Sequence, residues 1–377
     1  MNATALPATT RVAIVGAGPT GLALAVTLAG AGVDFVLLDR LSEGANTSRA
    51  GVVHARTLEV LDELGASAAL IERGLVIDRF RVRDGSRQLA AMDFSALPTP
   101  FPYALMVPQY ETEAVLLARL RELGGDVHRP YEVAGAEQDD DGVTLTMATG
   151  ETLRAEYAVG ADGMHSVVRE AAGIGFRGGA YAQSFVLADV TMDWAPGRDE
   201  VSLQFDAAGL VVIAPLPKDR YRVVATVDDA PSEPDTAYVQ RILDERAPGR
   251  AKVTGTVWSS RFRVHHRVAD SYRNGRLLLA GDAAHVHSPA GGQGMNTGIQ
   301  DAFALGRAIA EDRLDDYEAR RRPVAERVVA FTDRMTRIAT TRSRVLRTAR
   351  NLALPVVSRI PAFRTRLATE LAELNYR

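Results

Sequence analysis

The sequence contains no cysteine. Disulfides, iron–sulfur clusters, thiolate zinc sites and cysteine nucleophiles are thereby excluded together. Lysine is nearly absent as well: of 44 basic residues, all but Lys218 and Lys252 are arginine. Set against 47 acidic residues, they leave a net charge of −3. The chain as a whole therefore has no basic field to recruit nucleic acid or an anionic membrane. The N-terminal apolar run Val12 to Val15 is too short to cross a bilayer and is interrupted by glycines, and no charged leader precedes it. A soluble cytoplasmic protein is expected. No H-E-x-x-H or comparable ligand set occurs and His54 stands alone, so no metal site is expected. G-x-S-x-G is missing, which disfavours an α/β-hydrolase. Internal repeats and low-complexity linkers are absent.

What is present is globular in composition, with 46% apolar and 24% charged residues over 377 positions. That length exceeds twice the usual domain, so one large α/β unit with a second built into it is expected. Apolar runs alternate with helical patterns, as in βαβ units. Arg11 to Val15, Asp34 to Asp39 and Tyr157 to Gly160 read as buried strands. Gly21 to Ala31, Thr57 to Leu64 and Glu111 to Leu123 read as helices closed by glycines. Runs at Val127 to Val133, Gly142 to Met147 and Thr152 to Ala155 predict a β-meander. From Ala182 to Val268 the period changes. Val186 to Met192, Glu200 to Phe205, Leu210 to Pro215, Arg220 to Val227 and Lys252 to Trp258 are strand candidates, interrupted by one helix over Asp235 to Glu245. This block predicts a mostly antiparallel sheet inserted into the α/β frame. Arg276 to Ala280 returns to a buried strand, Asn296 to Ala310 to a helix, and Leu314 to Arg377 to a helical tail. The arginine run Arg320 to Arg322 reads as a solvated helix face.

The strongest local motif is Gly16-Ala-Gly18-Pro19-Thr20-Gly21, after a strand and opening a helix. Gly16 permits the tight turn, Gly18 a close backbone approach to a pyrophosphate, and Gly21 close helix–strand packing. Pro19 suits a first helical turn. The helix N-terminus offers free N–H groups to phosphates. Asp39 ends the second strand, where an acid accepts hydrogen bonds from an adenosine ribose, with Arg40 beside it. The motif leaves NAD and FAD both open.

Two further segments, YAVGADGMHSVVR (Tyr157 to Arg169) and LLLAGDAAHVHSPAGGQGMN (Leu277 to Asn296), resemble the DG and GD motifs of class A, single-component flavoprotein monooxygenases. These are the para-hydroxybenzoate hydroxylase-like aromatic hydroxylases. Ser48-Arg49-Ala50-Gly51, Arg56-Thr57-Leu58-Glu59 and Val107-Pro108-Gln109 also match, in family order. The resemblance implies a Rossmann-like FAD-binding domain over 1–75, 101–180 and 271–310, and a substrate-binding β-sheet domain over 76–100 and 181–270. C-terminal helices follow over 311–377. It implies that Arg49 holds the FAD pyrophosphate, Gln109 reaches the ribityl region, and Asp162 and Asp282 serve the cofactor. Asp282 would accept from ribityl hydroxyls. Pro289 would lie near the flavin face. Gly291, Gly292 and Gly294 would let backbone approach the ring, opening a helix at Met295 or Asn296 that stabilises negative charge there. Arg169 is read either as touching the nucleotide path or as structural, and His285 as packing.

The implied activity is hydroxylation of an aromatic small molecule, phenolic or polyketide-like, by a C4a-hydroperoxyflavin. NADPH or NADH would bind transiently, without a Rossmann domain of its own, and O2 would supply the oxygen. The substrate pocket is expected between Gln204, Phe205, Ile213 and Tyr221 and the flavin at Pro289 to Gly292. No catalytic base is assigned. A halogenase is excluded because its W-x-W-x-I-P segment cannot be built from Trp194 and Trp258. A flavoprotein oxidase or reductase without oxygen insertion is the alternative. With no cysteine, a thioether-linked flavin is ruled out. Neither nucleic acid nor a stable membrane association is expected, and the chain is read as a monomer or homodimer.

Overall fold

The computed structural model describes residues 6–44, 50–341 and 343–376. An eight-stranded sheet forms the frame. Its parallel centre runs Leu277–Leu279, Thr152–Gly160, Thr9–Val15, Phe35–Leu38 and Val127–His128. The helices in chain order are α1 (Pro19–Gly30), α2 (Ala55–Glu63), α3 (Ser67–Ile71), α4 (Gln109–Glu122) and α5 (Val167–Ala171), followed by α6 (Thr236–Arg246), α7 (Gly294–Ala310), α8 (Asp315–Ala339), α9 (Arg344–Val357) and α10 (Pro361–Leu371). Residues Gly21 to Leu28 of α1 are all buried, because α1 is packed between sheet, α4 and α7 rather than facing solvent on one side.

The meander exists, shifted by one strand. It is Val133–Gln138, Val143–Met147 and Thr152–Gly160. Val127–His128, expected to open it, instead returns through α4 to pair parallel with Phe35–Leu38, as a crossover requires. The two runs over Thr152 to Gly160 are one strand: its first part also pairs antiparallel and its last three residues also pair parallel.

A second eight-stranded sheet runs His285–Val286, Ala251–Ala269, Phe176–Trp194, Arg220–Val227, Gly209–Leu216, Val201–Asp206, Arg79–Asp84 and Arg87–Asp93. All its pairings are antiparallel except Val201–Asp206 with Arg79–Asp84. The α/β frame with a mostly antiparallel second sheet and C-terminal helices is thus the expected fold class. The strand candidate at Val186 is the later part, and that at Lys252 the opening, of two 19-residue strands. The first of these starts at Phe176, so the expected unit boundary at 181 falls inside a strand. A small third sheet joins Val52–Val53, Ala104–Met106 and Leu75–Ile77.

The second sheet is covered on both faces. On the outer face, Val211, Ile213, Tyr221, Val223 and Ala225 pack with Val239, Ile242 and Leu243 of α6. On the inner face, Phe205, Leu210 and Ala214 share a core with Ala339, Ala368 and Leu371 of the C-terminal helices. The arginine run is not a solvated face throughout. Arg321 is buried, its Nε 2.6 Å from Asp301, while Arg320 is exposed.

Candidate functional site

The glycine loop has the conformation its spacing predicts. Gly16 has φ +100°, and a Cβ there would lie 2.5 Å from the Ala161 carbonyl oxygen. A Cβ on Gly21 would lie 1.8 Å from the Gly16 oxygen, so no side chain fits between strand and helix. Gly18 differs: nothing lies within 4 Å of its Cβ position, and it caps α1 in extended backbone ahead of Pro19. The cradle is thus closed behind and open in front. Asp39 accepts from the Ala17 N–H at 2.8 Å and pairs with Arg129 at 3.5 Å, which brings the acid against the loop. Arg40 is exposed. Thr20 packs where a Cβ on Gly281 or Gly298 would stand, so the first loop, the GD turn and α7 meet at one point.

Asp162 sits at the end of Thr152–Gly160. One of its oxygens accepts from Val167 N–H at 2.8 Å; the other is buried without a partner among the described residues. Burial raises its carboxyl pKa above the ordinary value, against the hydrogen bonds from Ser166 and nearby backbone that lower it. Arg169 is the brace between the two motifs. It donates to the carbonyls of Ala283 at 3.0 Å and Met164 at 2.9 Å and stacks on Phe176 at 4.1 Å. This favours the structural of its two readings. Gly281, Asp282 and Ala283 form one 3-10 turn after Leu277–Leu279, leaving Asp282 exposed. His285 packs, as expected, with Nε2 2.6 Å from Asp301. Burial raises the Asp301 carboxyl, but Arg321 and His285 outweigh it and hold it below the usual range.

The loop before α7 is fixed from several directions. Gly291 and Gly292 have φ of +88° and +66°. His54, which sequence reasoning left aside, meets the Gly291 carbonyl at 2.7 Å through Nε2. Burial lowers its pKa to about 4, so the ring is neutral near pH 7 and acts as a donor there. The Asn296 side chain accepts from His54 N–H and donates to Val52 and Gly292 carbonyls at 3.0 and 2.9 Å. Its amide is committed to the loop, so only its backbone is available to a cofactor. Pro289, Gly294 and Met295 remain partly exposed along this rim.

Gln109 starts α4 and is tied to Ala50 by two hydrogen bonds, N–H to O at 3.1 Å and side-chain oxygen to N–H at 3.3 Å. Arg49 lies outside the described residues, but the segment after it is held firmly. Arg222, buried on the inner face, makes a two-pronged pair with Asp189, both contacts 2.8 Å, and donates to the Ala50 carbonyl at 2.5 Å. No local motif marks Arg222 or Asp189; only strand pairing brings them together.

Of the four expected pocket residues, only Phe205 is on the inner face. Gln204, Ile213 and Tyr221 face α6, with Gln204 opposite Val211 and Ile213 opposite Ser202. Gln204 and Phe205 are neighbours in one strand, so their side chains stand on opposite faces of the sheet. The inner face instead presents a cross-strand row of Leu187, Val224, Val212 and Leu203, the last three partly exposed.

The open front at Gly18, the orphaned Asp162 oxygen and the close-approach glycines fit a dinucleotide laid from Asp39 to the rim at Gly294. No group of residues able to hold a metal occurs among the described residues. The family model for the FAD binding domain matches residues 9–332. The chain belongs to this FAD-binding family. It is an FAD-dependent monooxygenase of the para-hydroxybenzoate hydroxylase-like class. It is 36% identical over 95% of its length to 6-methylpretetramide 4-monooxygenase of Streptomyces rimosus, spanning 67% of that relative. It is 34% identical over 90% of its length to pentachlorophenol 4-monooxygenase of Sphingobium chlorophenolicum, spanning 66% of it. Among solved structures, p-nitrophenol 4-monooxygenase from Pseudomonas putida superposes with a TM-score of 0.88 at 27% identity, covering 98% of this chain and 99% of that one.

For this FAD enzyme, Asp282→Ala is expected to weaken FAD binding at least tenfold, from the loss of a charge-assisted acceptor. Fluorescence titration of the apoprotein with FAD reads this; an unchanged Kd removes Asp282 from the site.

Proposed function

We propose that the enzyme hydroxylates an aromatic small molecule, phenolic or polyketide-like, with NADPH or NADH as hydride donor and O2 as oxygen source. Bound FAD supplies the redox chemistry, accepting the hydride and activating oxygen. The observation that carries the reading is the half-exposed apolar row Leu203, Val212 and Val224. It turns toward the side where Arg222 holds the Ala50 segment. An apolar wall suits a flat apolar substrate and keeps water from the reacting centre. The named substrates of the relatives, a pretetramide and a chlorinated phenol, support an aromatic ligand.

The residues around the wall position rather than react. Gly18 and the α1 N-terminus would receive the pyrophosphate, and Asp39 the ribose. His54 and Asn296 hold the Gly291–Gly292 backbone in the left-handed region where it can approach the ring. The α7 N-terminus at Gly294 presents unpaired N–H groups toward negative charge. No titratable side chain stands in the row, so no residue is assigned as base.

A screen of aromatic compounds should find some that accelerate anaerobic flavin reduction by NADPH or NADH, with one 18O atom from 18O2 entering the product. Stoichiometric peroxide release and unlabelled product with every accelerating compound would sink the proposal.

A further inference from the structure

The charge that averages to −3 is segregated. Between Asp333 and Glu370 there are nine arginines and no acidic residue. Arg337 pairs with Asp333, and Arg350 is buried against Asp84. Arg344, Arg359 and Arg366 are exposed and form no ion pair among the described residues.

The same segment carries an apolar face turned outward. Val345, Leu352, Val356 and Ile360 are 77%, 60%, 63% and 51% exposed. With Ala349 they fall four, three, four and four residues apart, a single stripe along α9 and just beyond it. The opposite side of α9 is already docked. Arg350 reaches Asp84 and lies over Phe205, Asn351 donates to Asp84 at 2.6 Å, and Ser358 meets the Leu89 carbonyl at 3.3 Å. The stripe is therefore not a core face awaiting a small rotation. A surface helix of this kind normally turns its apolar side inward, and a contiguous exposed patch marks an interaction site.

Charge decides among the occupants. A second copy would meet this face in a two-fold contact, setting each copy's arginines against the other's. An aliphatic stripe in a segment whose exposed arginines are not offset by any acidic residue has instead the composition of a helix lying in the interface of an anionic bilayer. We propose that α9 docks on an anionic phospholipid surface, with Val345, Leu352 and Val356 entering the acyl boundary while Arg344, Arg359 and Arg366 meet the headgroups. The contact is peripheral and reversible. No helix among the described residues is long and apolar enough to cross a membrane. Net charge alone predicts no such contact, because averaging hides the segregation.

The test is co-sedimentation of the purified, FAD-loaded full chain with vesicles of phosphatidylcholine alone or mixed equally with phosphatidylglycerol. The protein should pellet with the anionic vesicles and at least tenfold less with the neutral ones, and raised salt should release it. The triple variant Arg344→Gln, Arg359→Gln, Arg366→Gln should bind about 100-fold more weakly, roughly fivefold per charge. The triple variant Val345→Ser, Leu352→Ser, Val356→Ser should also lose binding. All six positions are exposed, so retained FAD content confirms folding. Absence of pelleting with anionic vesicles at low salt overturns the proposal. So does equal binding to both vesicle types. A dimer in sedimentation velocity that the serine variant dissociates would also overturn it, by assigning the face to a second copy.

Discussion

Arg222→Met is expected to destabilise the protein by roughly 3–5 kcal/mol, because it leaves the Asp189 carboxylate buried without its partner. For a chain of this length that is a fall of about 4–6 °C in thermal midpoint. The guanidinium also donates to the Ala50 carbonyl, so the substitution releases the segment that follows Arg49. FAD affinity should fall with stability. The double variant Arg222→Met, Asp189→Leu separates the two effects. Removing both charges restores most of the lost midpoint, since a well-packed apolar pair replaces a buried ion pair at little cost. It does not restore the bond to Ala50, so FAD binding stays weak. Thermal melts and FAD titrations on the three proteins read this directly. Full recovery of FAD affinity in the double variant would show that Arg222 contributes stability alone.

At pH 8, Glu373→Gln is expected to melt about 5 °C above the wild type, and at pH 5 the two should melt within a degree of each other. Glu373 is fully buried, and burial raises its pKa to about 8, against the lowering effects of Gln300 and Arg321. One carboxyl oxygen accepts from the Gln300 amide; the other lacks a partner among the described residues, as does the Gln300 side-chain oxygen. A proton on the carboxyl supplies the donor that this pair lacks. The folded pKa lies above the unfolded value of 4.5, so between these pH values the folded state holds the extra proton. Stability therefore falls as pH rises from about 4.5 to 8, by roughly 4–5 kcal/mol in all, and levels off above. Glutamine keeps the shape and removes the titration. His54 and His287, both lowered to about 4 by burial, act in the opposite sense, with stability lost as pH falls from 6.5 to 4. They are common to both proteins and cancel from the difference. A midpoint gap of equal size at pH 5 and pH 8 would show that the carboxyl does not titrate in this window.

The residues legible in the sequence are those whose roles answer to neighbours in the chain. Gly16 and Gly21 are demanded by one turn and one helix start, and their spacing alone marks them. Asp162 and Asp282 stand at strand ends recognisable from short apolar runs. The phase of the inserted sheet was not legible. Leu210 to Leu216 is apolar at both parities because α6 covers one face and α8 to α10 the other, which erases the alternation that marks an inner side. The segment 76–100 is assigned to the β-sheet domain by resemblance alone, and its hairpin Arg79–Asp84 and Arg87–Asp93 is not marked as strands because arginines flank the buried Phe80 and Val82. Arg169 and Asn296 take their meaning from partners far along the chain. Arg169 bonds a carbonyl 114 residues away and Asn296 one 244 residues away. No window of sequence holds both ends of such a contact.

The burial of α1 has a consequence for how the chain matures. Its apolar surface is covered by α4 and by α7, and α7 begins about 260 residues after α1 ends. At ordinary synthesis rates α7 leaves the ribosome on the order of tens of seconds later. Strand Leu277–Leu279, which completes the parallel sheet beside Thr152–Gly160, arrives just before it. Through that interval the nascent glycine loop stands without its final support, and the helix behind it exposes the face that α7 will cover. The nascent chain should therefore depend on chaperone protection until the last third is made, and any fragment ending before α7 should aggregate rather than bind FAD.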